Sequence, residues 1–169
     1  MPFRAAPLAA AFVVLLACSE ARNTPSDAFA SLRTAIAESR WELLYEVLTP
    51  EVQAGYDEQI ATKDAELAAL ARRDGPSAAD GLLRPIGISH DEWKRLDARA
   101  RFAGIFEASA RAQFVSMGVN EEHLKEAEVR SVESHGGRAE VVVDDGKGHR
   151  TRLTFTLVDG TWRFDPGEP

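Results

Sequence analysis

Cysteine is nearly absent from this chain: its 169 residues contain one, Cys18. A single thiol excludes an intramolecular disulfide and a thiolate metal cage, so the folded domain depends on its core alone. Long apolar runs are missing as well. The longest extends from Leu8 to Ala17, well short of the ~20 residues that a membrane-spanning helix needs. Positive charge is in deficit, with 20 Lys and Arg against 27 Asp and Glu and a net charge of −7. That balance argues against nucleic acid, and against attachment to anionic lipid through a basic surface. Internal repeats and low-complexity tracts are not seen.

The first segment carries the clearest signal. Arg4, the apolar run from Leu8 to Ala17 and the small residues that follow have the order of a secretory leader, residues 1–17, and not of a folded element. Leu15-Leu16-Ala17-Cys18 resembles the lipobox of bacterial lipoproteins. The resemblance implies that Cys18 is diacylated and becomes the first mature residue, with residues 18–23 as anchor and linker. Two or more acyl chains hold a protein firmly at a membrane where one does not. Ser19, in place of an acidic retention signal, favours the outer membrane of the envelope. Ordinary leader cleavage after Ala21 is the alternative.

Residues 24–169 read as one α+β domain of about 150 residues, enough for a single core. Thr24-Pro25-Ser26-Asp27 has the form of a helix start, and Phe29, Leu32 and Ile36 recur at helical spacing. Ser39 with Glu42 reads as a second capping box, before the stripe Trp41, Leu44, Tyr45 and Leu48. Thr49-Pro50-Glu51 opens a third helix, with Val52, Tyr56, Ile60, Leu67 and Leu70 on one face, ending near Arg73. After a stretch broken by Gly and Pro, Ser89 with Glu92 caps one long helix to Met117, striped by Trp93, Leu96, Ala100, Phe106 and Phe114. Asn120 caps a last short turn. From about Ala127 the period becomes two. Residues 129–134, 138–144, 151–158 and 161–165 then read as a four-stranded antiparallel meander, its turns marked by Gly136-Gly137, Asp145-Gly146-Lys147-Gly148 and Asp159-Gly160.

N-terminal helices followed by a meander ending in Asp-Gly-Thr-Trp-Arg-Phe-Asp resemble the NTF2-like superfamily. The resemblance covers most of residues 24–165 and implies a curved sheet wrapped around a helix to form a cone with a pocket. Its candidate wall residues here are Trp41, Tyr45, Tyr56, Phe106, Phe155 and Trp162. The segment from Ser89 to Met117 is longer than a minimal cone needs. A helical subdomain packed on the sheet is therefore the competing architecture.

Catalytic groups are harder to find. His135 and His149 fall at opposite ends of one strand, and neither His90 nor His123 has a partner at a recognised metal-ligand spacing, so no metal or cofactor is expected. The Asp144–Gly148 loop reads as a hairpin turn, not as a calcium or phosphate loop. No nucleophile elbow is present. Asp57, Glu58, Asp64 and Glu66 alternate with alanines as on a solvated face, and Lys94, Arg95, Arg99 and Arg101 read likewise. The expectation is a non-catalytic, membrane-tethered binding or interaction domain of the bacterial envelope, taking a small apolar ligand or an envelope protein. The alternative is an NTF2-like pocket enzyme, an isomerase or hydrolase of small molecules.

Overall fold

The computed structural model describes residues 22–117 and 119–167. The leader, Cys18 and the linker through Ala21 lie outside the described residues. Seven α-helices precede a four-stranded antiparallel sheet in the described chain, so the α+β reading holds. None of these helices is long and apolar enough to cross a membrane.

Helix α1 (Pro25–Ala37) starts where the Thr24 hydroxyl accepts from the Asp27 N–H at 3.1 Å and the Asp27 carboxylate accepts from the Thr24 N–H at 3.0 Å. Such a reciprocal cap is worth about 1 kcal/mol. The helix buries Ala28, Phe29, Leu32, Ala35 and Ile36. Its end departs from expectation. Ser39 takes a left-handed φ of +53°, and the Ser39 and Arg40 N–H groups donate back to Ile36 and Ala35 carbonyls. Ser39 is thus spent closing α1 in a Schellman turn. It cannot cap α2 (Trp41–Val47), whose N-cap is Arg40 without a side-chain hydrogen bond.

Helix α3 (Pro50–Asp74) is 25 residues long and buries only Ile60 and Leu67 fully. The Gly- and Pro-broken stretch after it forms α4 (Pro76–Leu83) and a 3₁₀ turn at Arg84–Ile86. The expected long helix from Ser89 is two. Helix α5 (His90–Arg95) has the predicted Ser89–Glu92 capping box, but Leu96 is extended and Asp97 caps the Ala100 N–H of α6 (Ala98–Ser116). Ser109 departs from helical geometry within α6 and donates its hydroxyl to the Ile105 carbonyl. Helix α7 (Glu121–Glu126) follows, capped by Asn120 as predicted.

Strands β1 (Glu128–His135), β2 (Arg138–Asp144), β3 (Arg150–Val158) and β4 (Thr161–Asp165) form a meander in sequence order. Ala139 faces Phe155 and Phe155 faces Phe164 across the ladder, while Val141 faces Leu153. These residues form the buried side of the sheet, against which α1 packs. The other edge of β4 is covered. Leu48 forms a parallel bridge to Phe164, the Thr49 N–H donates to the Phe164 carbonyl, and the Trp162 N–H donates to the Arg22 carbonyl at 3.0 Å. Arg163 donates to the Glu46 and Leu48 carbonyls. Strand β1 is the outer edge on the far side and is largely exposed; a bulge between Val129 and Ser131 breaks its ladder. A bulge and charged side chains of this kind discourage further strand pairing.

Candidate functional site

Helices α2, α3 and α6 enclose an aromatic cluster. Trp41, Phe106 and Phe114 contact one another, Tyr45 lies 5.2 Å from Phe102, and Tyr56 meets Phe102 edge-on at 4.8 Å. The six expected wall residues do not surround one cavity. Phe106 and Phe155 are fully buried, one among the helices and the other on the sheet beside Phe164. Trp162 is buried at the start of β4, and Trp41 reaches a polar cleft beside Arg99. Tyr45 donates its hydroxyl to Asp57 at 2.9 Å. Burial, and then the Asp57 carboxylate, push its phenol up to about 12.

Tyr56 differs from the other five. It lines a mainly apolar cleft of ≈ 380 Å³ between α3 and the end of α6, with Val52, Gly55, Gln113 and Met117 around it and Pro166 beyond β4. Its hydroxyl donates to Gln113 Oε1 at 3.1 Å. Burial pushes its phenol up to about 12, so it stays neutral and keeps its proton at physiological pH. Gly55 leaves the wall of this cleft open: a Cβ built there meets no atom within 4 Å.

Asp64 belongs to a different kind of feature. It accepts from the Trp93 indole N–H at 2.5 Å and from Arg101 at 2.7 Å, while Arg101 lies over the Trp93 ring. Asp64 and Arg101 are therefore a half-buried clamp that ties α5 and α6 to α3, not members of solvated faces. Lys94 does lie on a solvated face as expected, paired there with Asp91.

A further cluster was not visible from chain spacing. The imidazoles of His123, on α7, and His149, before β3, stack with centroids 4.1 Å apart and planes 9° from parallel. Asp145 lies beside them, its side chain only 2 % exposed. Asp145 Oδ1 accepts from the Lys147 and His149 N–H groups, and its Oδ2 lies 2.8 Å from His149 Nδ1. Burial alone raises this carboxyl, but the His149 ring and the two backbone donors outweigh it and hold the group down at about 2. The carboxylate is therefore ionised and accepts only, which assigns the proton to His149 Nδ1. One ligand atom from each of His123, Asp145 and His149 lies within 4.8 Å of the other two. Glu122, Glu126 and Lys147 line the same depression. The one sequence signal that bears on this cluster is the spacing of Asp145 and His149, four apart across a glycine-containing turn, which the hairpin reading passes over. His90 and His135 lie elsewhere, on α5 and at the end of β1.

Comparison with protein-family models, with curated proteins and with solved structures returns no match.

Proposed function

We propose that this protein is a non-catalytic binding domain of the bacterial envelope, exported by residues 1–17 and tethered to the membrane through acylated Cys18. The observation that carries the reading is the cleft beside Tyr56. Its ≈ 380 Å³ falls within the ~300–1,000 Å³ typical of small-molecule sites. Val52, Met117 and Pro166 offer apolar contact, and the Tyr56–Gln113 pair and Gln59 offer places for hydrogen bonds. A small, mainly apolar molecule with one or two polar groups suits that lining.

The tether brings this cleft to the source of such a ligand. The Arg22 carbonyl is fixed to the start of β4 by the Trp162 N–H. The chain from Cys18 to Arg22 spans no more than about 14 Å even fully extended. A diacylated Cys18 would hold the β4 edge close to the lipid surface, with Pro166 and the cleft about one strand length away. The test uses the membrane-extracted chain and the uncharged fluorescent probe N-phenylnaphthylamine. Saturable binding in the parent, weakened at least about tenfold in Gly55→Leu at a melting temperature no lower than the parent's, is the expected result. Equal binding in both proteins, or none in the parent, would overturn the cleft as the site.

A further inference from the structure

We propose that His123, Asp145 and His149 form a binding site for one divalent transition-metal ion, with Zn²⁺ as the best-suited occupant. The site lies on α7 and the turn between β2 and β3, and is independent of the cleft beside Tyr56.

The donor set points to the class of ion. Two imidazoles and one carboxylate suit zinc and its neighbours, whereas calcium and magnesium prefer oxygen throughout. Three protein ligands leave a fourth position for water or for a carboxylate. Glu122 and Glu126 line the same depression and can supply one, although Glu126 is paired with Lys147 here.

The ligand atoms already lie near the spacing that the ion requires. Bonds of about 2.0–2.1 Å set tetrahedral ligand atoms about 3.4 Å apart. The three ligand atoms lie within 4.8 Å of one another. Ligation through His149 Nδ1 would replace its hydrogen bond to Asp145 and release that proton to solvent, as imidazole ligation does. Imidazole lone pairs lie in the ring planes, so two rings 9° from parallel do not yet aim at one point. Closure asks one ring, that of His149, to swing out of the stack. The chain can supply that movement. His149 is exposed and follows a turn in which Gly146 and Gly148 both have positive φ, while Asp145 is the fixed member, buried and held by two backbone N–H groups. The three ligands are two imidazoles and a carboxylate, so the binding chemistry is that of nitrogen and oxygen ligands.

The experiment is calorimetric titration of the untagged, detergent-solubilised full chain with Zn²⁺, repeated in competition with a chromophoric chelator and followed with Co²⁺ by visible absorption. The expected result is one saturable ion per chain. Affinity should fall at least about tenfold in each of His123→Gln and His149→Gln. A His90→Gln/His135→Gln double variant should bind as the parent does. Both single substitutions fall on side chains that are exposed or half-exposed, and matching circular dichroism melts confirm the fold. Absence of saturable binding, or affinity retained in both single variants, would overturn the proposal. So would loss of binding in the His90/His135 control, because it would place the ion elsewhere.

Discussion

His123 and His149 lie face to face, 4.1 Å between ring centroids, although the whole of β1 and β2 separates them in the chain. Two conditions produce this contact. Asn120 caps α7 and sets His123 on the turn's flank, and the Asp145 carboxylate orders the β2–β3 turn from within.

The turn itself is testable. Gly148 has φ +97°, a conformation that costs an L-residue about 1–2 kcal/mol. Gly148→Ala should destabilise the domain by that amount and separate the two rings. Thermal melts measure the first effect, and loss of ring-to-ring contacts in NMR spectra the second.

Asp64 is the joint between the long α3 and the α5–α6 pair. Removing its carboxylate leaves the buried Trp93 indole N–H without its acceptor and Arg101 without its counter-ion. Asp64→Ala should cost about 2 kcal/mol, and Trp93→Phe about 1 kcal/mol. The two should combine to less than their sum, because both remove the same hydrogen bond. Urea denaturation of the single and double variants checks the non-additivity.

The phenols of Tyr45 and Tyr56 are the chain's two tyrosines, and both are pushed up to about 12. Their folded values exceed the unfolded value of about 10. Each therefore contributes stability that is fully present below pH 10 and is lost as pH rises toward 12. Absorbance at the phenolate band should show no tyrosine titrating near pH 10 in the folded protein. Tyr56→Phe should remove one of the two late transitions and leave the Tyr45 transition in place.

Glycine at position 55 is a gap in a helix rather than a turn. An added methyl meets nothing within 4 Å, and Ala exceeds Gly in helix stability by about 1 kcal/mol. Gly55→Ala should raise the melting temperature while leaving the cleft open. A lower melting temperature would mean that α3 uses this glycine for close approach.

The strands were legible because two independent signals agreed. Ala139, Val141, Leu153 and Phe155 alternate at a period of two, and Asp159-Gly160 has the positive φ angles, +50° and +78°, that a two-residue hairpin demands. Where one residue serves two patterns, sequence reading went astray. Ser39 fits a capping box on paper, yet its left-handed conformation closes the preceding helix. Leu96 continues an apolar stripe, yet Asp97 is the stronger signal and starts a new helix. Arg101 and Asp64 look solvated because their partner, Trp93, comes from a third element. The histidine pair was illegible for the same reason: its contact exists only after α7 folds across the β2–β3 turn. Of the expected wall, Tyr56 reached the apolar cleft, because the other aromatic rings were taken up by packing within or against the helical layer and the sheet.

The most direct test of the account is native mass spectrometry of the full-length protein extracted from its own membrane in mild detergent. A chain that begins at Cys18 with diacyl mass and retains a small molecule, lost in Gly55→Leu, is the predicted result. An unacylated chain that starts beyond Cys18 and carries no ligand would contradict it.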